Sequence, residues 1–274
     1  MSVISPKAIV ENPSGLAQDV QVGPFAYIGP EVLIEAGTEV CNNVTIIGRT
    51  RIGPRCRLFP GCVIGSRPAE PQAPPAGAAP AVECTLGAGN FVREHVCIEA
   101  GLDASGGGTL IGENNLLMVG CCVCADAVLD GQGIFANFTR VGRQARIEKY
   151  VRTSGLTHIA DYATVGAYTF TTGYAGIDRD APPYAIVQGL PFRVRSVNSE
   201  NLRRCGFEAK AIETLKKAFR LIFADWESQP PPGLLTQVLK NFDGEHVRYL
   251  VEFLRRSGAS PVGRCRQAAG QTPP

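Results

Sequence analysis

Residues 20–65 have the sequence VQVGPFAYIGPEVLIEAGTEVCNNVTIIGRTRIGPRCRLFPGCVIG, in which every sixth residue from Val22 to Ile64 is Ile, Leu or Val. The same spacing extends back to Ile4, and a small or β-branched residue usually stands two positions earlier. A period of six is not helical, and it suits strand alternation only if the chain turns every six residues. The repeat therefore predicts a parallel β-helix with three hexapeptides in each coil.

The expected fold class is an all-β left-handed parallel β-helix, a hexapeptide-repeat solenoid, with a C-terminal α-helical cap. The aliphatic residue and the small residue two positions before it should both point inward. Glycine often follows the aliphatic residue, where we expect it to permit a positive φ or a close approach of two backbones at a corner. These positions are Gly23, Gly29, Gly53, Gly65, Gly87, Gly112, Gly142 and Gly166.

Breaks in the repeat define the domain organisation. The solenoid is expected over residues 1–190, with looped insertions at 66–82, which is rich in Pro and Ala, and at 101–109, which is rich in Gly. The spacing of Ile212, Leu215 and Phe219 predicts an amphipathic helix, and residues 191–257 are expected to form the helical cap. Residues 258–274 are expected to be a disordered tail.

The repeat also predicts which cysteine side chains point inward. The small inward position is occupied by Cys56, Cys62, Cys84 and Cys121, where cysteine acts as a compact apolar residue. Cys121, Cys122 and Cys124 look like metal ligands, but Cys121 should point inward and Cys122 outward. We therefore expect packing and no metal site.

Composition narrows the class of protein. The chain has 274 residues, 45% of them hydrophobic and 19% charged, with a formal net charge of +2. This balance argues against a nucleic-acid-binding protein and against disorder. No apolar run reaches the roughly 20 residues of a membrane span, and the N-terminus lacks a secretory pattern. A cytoplasmic protein whose ten cysteines are not paired in disulfides is expected, and its 3 histidines are few.

Four segments carry a specific resemblance: GGG at 106–108, ENNLLM at 113–118, DAPPYAIVQG at 180–189 and NLRRCGF at 201–207 before a helical cap. In this order the chain, over about residues 1–257, resembles the UDP-N-acetylglucosamine acyltransferase family of lipid A biosynthesis. The resemblance implies a homotrimer with active sites between neighbouring solenoids. It also implies cofactor-free transfer of a 3-hydroxyacyl chain from acyl carrier protein to UDP-N-acetylglucosamine. The basic cap would dock the acidic carrier protein.

The resemblance also implies roles for individual residues. Gly173 would lie beside the acyl chain, and the nucleotide would be near Asn198, Glu200, Arg203 and Arg204. Asp126 matches the aspartate that orients the general base, and the backbone N–H of Arg143 matches an oxyanion donor. The family's histidine positions are occupied here by Glu99, Cys122, Ala125, Gln144 and Ala160, and Ala125 stands at the position of the general base.

A positioned general base contributes about 10²–10⁴ in rate, so alanine at this position has a large chemical consequence. No neighbour in sequence is expected to lower the pKa of Cys122 or Cys124, which argues against a thiol nucleophile. His158 is a candidate replacement base. Three hypotheses remain open: an acyltransferase with impaired activity or an altered mechanism, a non-catalytic pseudoenzyme that binds a UDP-sugar or the carrier protein, and a structural trimeric solenoid.

Overall fold

The structure is a computed structural model that describes residues 3–68, 84–102, 108–224, 230–260 and 262–267. The first strands are β1 (Val3–Ile4), β2 (Ile9–Val10), β3 (Gln21–Val22), β4 (Tyr27–Ile28), β5 (Leu33–Ile34), β6 (Glu39–Val40), β7 (Thr45–Ile46), β8 (Thr50–Ile52), β9 (Arg57–Leu58), β10 (Val63–Ser66), β11 (Cys84–Leu86), β12 (Phe91–Val92), β13 (Cys97–Glu99) and β14 (Thr109–Glu113). A 3-10 helix, Pro13–Gly15, lies between β2 and β3.

The later strands are β15 (Leu116–Leu117), β16 (Cys122–Val123), β17 (Val128–Gly131), β18 (Ile134–Phe135), β19 (Arg140–Val141), β20 (Arg146–Ile147), β21 (Arg152–Thr153), β22 (His158–Ile159), β23 (Thr164–Val165), β24 (Phe170–Thr171), β25 (Gly176–Ile177), β26 (Ala185–Gln188) and β27 (Arg193–Val197). Four helices follow: α1 (Ser199–Arg204), α2 (Ala209–Ile222), α3 (Pro232–Asn241) and α4 (Glu245–Gly258).

Three sheets form the walls of a triangular prism. An eleven-stranded sheet runs β1-β3-β6-β9-β12-β15-β18-β21-β24-β26-β27, a nine-stranded sheet runs β2-β4-β7-β10-β13-β16-β19-β22-β25, and a seven-stranded sheet runs β23-β20-β17-β14-β11-β8-β5. Except for β27, each strand pairs in parallel with the equivalent strand of a neighbouring coil, as Val63 does with Cys97. The predicted parallel β-helix is confirmed.

The core follows the repeat. The aliphatic positions are buried, as at Ile98 and Leu117, and the small positions two residues earlier are buried with them, as at Val96. Phe135 is the largest of these fully buried side chains. Cys56, Cys62, Cys84 and Cys121 are buried as well, which confirms their inward assignment.

The expected positive φ at the repeat glycines is found at Gly65 but not at the other seven positions. Several of those seven lie where two coils touch: a Cβ on Gly112 would come within 2.4 Å of the Asp130 carbonyl oxygen. The positive φ values instead fall on other corner residues, including Asp126 (58°) and Gln144 (53°). Close backbone approach is therefore the main reason for glycine after the aliphatic residue.

The boundary predicted at residue 190 does not coincide with the end of the sheet. Strand β27 pairs antiparallel with β26, so residues 193–197 extend the eleven-stranded sheet before the helices begin. Helix α2 buries Ile212, Leu215 and Phe219 as its spacing predicted. Among the described residues, no helix is long and apolar enough to cross a membrane.

Aromatic rings join the helical part to the solenoid. Tyr150 and Tyr168 stack with ring centroids 4.9 Å apart, and Phe207 meets Tyr168 edge-on at 4.9 Å. His246 on α4 lies 4.6 Å from the Phe207 ring. Such ring pairs add about 0.5–1.5 kcal/mol each beyond the area they bury, and they fix the cap on the last coils.

Part of the segment that was expected to be a disordered tail packs against the solenoid. Residues 262–267 lie against the last coils, because Gly263 accepts a hydrogen bond from the Asp180 N–H at 2.7 Å and the Cys265 N–H donates to Asp180 Oδ2 at 2.8 Å. Residues 268–274 lie outside the described residues. The insertion at 66–82 is described only to residue 68, and the insertion at 101–109 is described only at residues 101, 102, 108 and 109.

Candidate active site

The residues assigned by resemblance lie along three different edges of the prism. The Ala125 edge, between the nine- and seven-stranded sheets, carries Ala125, Asp126, Arg143 and Gln144. The Asn198 edge, where α1 meets the corner between the seven- and eleven-stranded sheets, carries Asn198, Glu200, Arg203 and Arg204. The Gly173 edge lies between the eleven- and nine-stranded sheets. Edges of a hexapeptide coil are on the order of 15–20 Å apart, so one protomer does not bring the three groups together.

Ala125 is enclosed by its neighbours. Its exposed fraction is 0%, its N–H donates to Glu99 Oε2 at 3.0 Å, and its carbonyl oxygen accepts from the Gln144 N–H at 3.0 Å. The alanine methyl group can neither accept nor donate a proton. General-base catalysis from this position is therefore absent.

Asp126 anchors the second insertion. It is 8% exposed, and both carboxylate oxygens accept from the Leu102 N–H, at 3.0 and 3.1 Å. The Asp126 N–H donates to Thr109 Oγ1 at 2.9 Å. The aspartate thus connects the two ends of the glycine-rich insertion to the Ala125 edge.

We predict that Asp126→Ala destabilises the protein by about 1.5–3 kcal/mol, because the partly buried Leu102 N–H loses a charged acceptor. The free energy of unfolding in urea measures this. Asp130→Ala is the matched control, since Asp130 pairs with Arg146 at a half-exposed surface site and should cost about 1 kcal/mol or less. Equal losses in the two variants would contradict the anchoring role.

The backbone N–H expected to stabilise an oxyanion is already engaged. The Arg143 N–H donates to Asp161 Oδ1 at 2.9 Å. Asp161 lies one coil further along and also approaches Arg140 Nη1 at 3.8 Å. A substrate oxygen could use this donor only if it displaced the Asp161 carboxylate.

A row of polar side chains runs along the outer face of the nine-stranded sheet, beside the Ala125 edge. Strand register places Cys97 next to Cys122, Cys122 next to Arg140, and Arg140 next to His158. Cys97 and Cys122 are half-buried and His158 is exposed, which confirms the outward direction predicted for Cys122 and His158. All ten cysteines are free thiols.

The thiols perturb one another. A hydrogen bond with Cys122 lowers the pKa of the Cys124 thiol, and the positive charge of Arg140 lowers it further. The same hydrogen bond raises the pKa of Cys122 to about 11. The expectation that nothing lowers the pKa of these thiols is therefore wrong for Cys124, whose residue is only 6% exposed.

The surroundings of His158 lower its pKa. Burial, and then the charge of Arg140, lower its pKa below the usual value, while Asp161 opposes the shift. A neutral imidazole at pH 7 can accept a proton. His158 lies on the outer face of the nine-stranded sheet, two residues before Ala160 and one coil beyond Arg140.

At the Asn198 edge the polar groups already have partners within the chain. The Asn198 side-chain amide donates to the Tyr168 carbonyl oxygen at 2.8 Å, and this residue is 6% exposed. Glu200 pairs with Arg204 at 3.1 Å and Arg203 at 3.5 Å, and all three side chains are at least 60% exposed. The two arginines remain accessible to an anionic ligand.

The Gly173 edge is open and apolar. A Cβ on Gly173 would meet only the Gly155 carbonyl oxygen, at 3.8 Å. Phe138, Leu156 and Tyr174 lie on this edge, with exposed fractions of 57%, 47% and 76%. Such a surface can pack against a hydrocarbon chain or a neighbouring subunit.

The described part of the chain contains no group of three or more His, Cys, Asp or Glu side chains arranged to hold a metal ion. The Ala125 edge instead offers carboxylates, thiols, guanidinium groups and one imidazole close to its face. This arrangement can bind a polar ligand. It lacks a proton acceptor at the position where the resemblance places one.

Sequence reasoning missed several contacts of this edge. Asp161 could have been found, because it follows Arg143 by 18 residues, which is one coil of three hexapeptides. The pairing of Cys97 with Cys122 was hidden by the insertion between them. Arg266 donates from Nε to the Gln144 carbonyl oxygen at 3.0 Å. This contact could not be found from the sequence, because Arg266 lies outside the hexapeptide repeat.

A parallel β-helix of hexapeptide coils, extended by an antiparallel hairpin and a helical cap, defines the class of protein. Residues 180–262 match the family model described as "Udp N-acetylglucosamine O-acyltransferase; Domain 2". The acyl-[acyl-carrier-protein]–UDP-N-acetylglucosamine O-acyltransferase of Stutzerimonas stutzeri is 33% identical over 223 residues, 81% of this chain and 85% of that protein. The Synechocystis enzyme of the same name is 35% identical, covering 78% of this chain and 75% of that one.

Solved structures agree with these relatives. The UDP-N-acetylglucosamine acyltransferase from Bacteroides fragilis has a TM-score of 0.85 and 30% identity, over 92% of this chain and 97% of that one. The Campylobacter jejuni enzyme has a TM-score of 0.80 at 25% identity, over 91% of this chain and 95% of that one. The chain belongs to the UDP-N-acetylglucosamine O-acyltransferase family.

Proposed function

We propose that this chain binds acyl carrier protein and UDP-N-acetylglucosamine as its relatives' names describe, and that it transfers the acyl group slowly or not at all. The observation that carries the proposal is Ala125, which is buried on the edge where the family resemblance places the catalytic base. The fold, the cap and the exposed arginines support retained binding. The missing base accounts for impaired transfer.

A homotrimer is part of the proposal. Within one protomer the Ala125, Asn198 and Gly173 edges face different directions, so a ligand that needs residues from more than one edge needs more than one subunit. Packing the solenoids side by side around a threefold axis would set one protomer's edge against a different edge of its neighbour. The open apolar Gly173 edge supports such an interface.

The carrier protein is proposed to dock on the cap. Lys216 and Arg220 on α2 and Arg195 on β27 line a cleft of about 510 Å³, together with the apolar rings of Phe219 and Phe223. Positive charge beside apolar surface suits an acidic protein that carries an acyl chain.

The mechanism available to the wild-type residues is limited. Attack by a sugar hydroxyl on a thioester requires loss of the hydroxyl proton, and Ala125 cannot accept it. His158 could accept this proton only if the substrate lay over the outer face of the nine-stranded sheet. The Arg143 N–H is occupied by Asp161, which removes a further stabilising group.

The non-catalytic alternative is supported by the same two features, Ala125 and the engaged Arg143 N–H. It differs in predicting ligand binding without any product. A purely structural solenoid would bind neither ligand.

The experiment combines three measurements on the wild-type chain. Product mass after prolonged incubation with 3-hydroxyacyl carrier protein and UDP-N-acetylglucosamine tests transfer, calorimetry with each ligand tests binding, and light scattering tests the trimer. Slow product formation supports the proposal in full. Binding without product also agrees with the proposal and selects its non-catalytic form, whereas no binding to either ligand would overturn both forms.

A further inference from the structure

The C-terminal strap, residues 262–267, begins with a firm anchor. The Asp180 side chain, 5% exposed, accepts from the Thr164 N–H at 2.7 Å and from the Cys265 N–H at 2.8 Å. The Gly263 carbonyl oxygen accepts from the Asp180 N–H at 2.7 Å and from Ser257 Oγ at 3.0 Å. These contacts tie residues 263–265 to the last coil and to the end of α4.

From this anchor the strap runs along the Ala125 edge, coil by coil. Arg264 donates from Nε to the Asp178 carbonyl oxygen at 2.7 Å and from Nη1 to the Asp161 carbonyl oxygen at 3.3 Å. Arg266 donates from Nε to the Gln144 carbonyl oxygen at 3.0 Å, one coil further on. The next coil in this direction carries Ala125, whose carbonyl oxygen accepts from the Gln144 N–H.

The tip of the strap is held more weakly than its anchor. Arg266 is exposed, and within the described ranges its contact with Gln144 is its one hydrogen bond, while Gln267 Oε1 accepts from Arg264 Nη1 at 3.3 Å within the strap itself. The anchor, by contrast, uses both oxygens of a buried carboxylate. The two halves therefore differ in how easily they leave the solenoid: the tip can lift while the anchor stays.

The strap extends beyond the part of the chain that the family model matches, which ends at residue 262. It lies beside Gln144 and Asp161, where a ligand on the Ala125 edge would make contact.

We propose that the C-terminal strap is an autoinhibitory element, with Arg266 occupying the Ala125 edge and leaving it when a ligand binds there. This inference rests on the proposed function for the identity of the ligand, UDP-N-acetylglucosamine. The anchor at residues 263–265 holds the tip close to the edge, so that it rebinds when the ligand leaves. The cost of displacing the tip lowers the apparent affinity for the ligand.

The test is truncation after Cys265, which removes Arg266 and everything beyond it but keeps the anchor. One ordinary hydrogen bond corresponds to about a two- to tenfold change in affinity, so the truncated protein should bind UDP-N-acetylglucosamine about two- to tenfold more tightly in calorimetry. Arg266→Ala should give the same direction of change. Where the wild-type protein binds the nucleotide sugar, unchanged or weaker binding in both variants would overturn the proposal.

A second measurement does not depend on the ligand. Gln144→Cys is placed in the full-length and the truncated protein, and the rate of alkylation at position 144 is followed by peptide mass spectrometry. The truncated protein should react faster because Arg266, which contacts the backbone carbonyl oxygen of residue 144, has been removed. Arg248→Ala, which removes an exposed side chain on α4 that pairs with Asp243, is the control and should change neither readout.

The two measurements separate the proposals. If neither protein binds the nucleotide sugar but truncation speeds alkylation, the strap remains an occupant of the edge and the proposed function fails. If the wild-type protein binds the nucleotide sugar while truncation changes neither affinity nor alkylation, the proposed function stands and the strap is not autoinhibitory.

Discussion

Restoring histidine at positions 125 and 144 of the Ala125 edge and at position 122 on the adjoining sheet face, by Ala125→His with Cys122→His and Gln144→His, is expected to raise the rate of acyl transfer by about 10²–10⁴-fold. The reason is that the edge would regain a proton acceptor for the sugar hydroxyl, and Asp126 already stands next to it in the chain. Product formation from 3-hydroxyacyl carrier protein and UDP-N-acetylglucosamine, followed by mass spectrometry, measures the change. Wild-type and variant proteins are compared at equal concentration.

The structure shows what this substitution must overcome. Ala125 is fully buried, so an imidazole there must displace neighbouring atoms, at a cost of about 1–3 kcal/mol in stability. Asp126 must also exchange its contact with the Leu102 N–H for one with the new ring. The melting temperature should therefore be measured with the activity, so that misfolding is recognised.

Leu156→His is the matched control for activity. It adds a histidine at an exposed corner of the Gly173 edge, where φ is 58°, and leaves the Ala125 edge unchanged. No gain in rate is expected from it. A folded triple variant with no gain, or a wild-type protein as fast as its relatives, would show that the alanine at position 125 is not what limits transfer.

The second large effect concerns the core. Phe135→Ala should destabilise the solenoid by about 3–5 kcal/mol, because it removes the largest of the fully buried side chains and the rigid coils cannot collapse around the cavity. Its ring lies against Gly133, where an added Cβ would come within 2.6 Å of Cε2, so the space is shaped for this ring. Urea unfolding followed by circular dichroism measures the loss.

Phe138→Ala provides the comparison within the same coil. Phe138 points outward at 57% exposure, with its ring over Gly120. Its removal should cost about 1 kcal/mol or less in the isolated protomer, since little surface returns to water. If Phe135→Ala also lowered the free energy of unfolding by only about 1 kcal/mol or less, the core would not be close-packed at that coil.

Much of the fold could be predicted from the sequence because the six-residue repeat places the same types of residue at the inward positions of coil after coil. The inward direction of Cys121 and the outward direction of Cys122 followed from this phase alone. The helix formed by α2 followed from the spacing of its apolar residues. Strand β27 was missed because it pairs antiparallel at the end of a sheet and has no hexapeptide signal.

The candidate site was less accessible to such reasoning. Its members could be named by resemblance, but their hydrogen-bond partners could not. The Arg143 N–H was expected to be a donor for substrate, and the structure gives it to Asp161. Cys124 was expected to have no neighbour in sequence that lowers its pKa, yet a hydrogen bond with Cys122 lowers it, and Arg140, which strand pairing brings close, lowers it further.

The sequence by itself determined the period of the solenoid, the identity of its inward residues and the absence of histidine at position 125. These are properties of single positions or of a short repeat, so they need no knowledge of distant contacts. Only the tertiary structure decided that the assigned residues lie on three separate edges and that the strap reaches Gln144. Those facts depend on how residues far apart in the chain meet, because stacking of coils and docking of the C-terminus are set by packing across the whole fold.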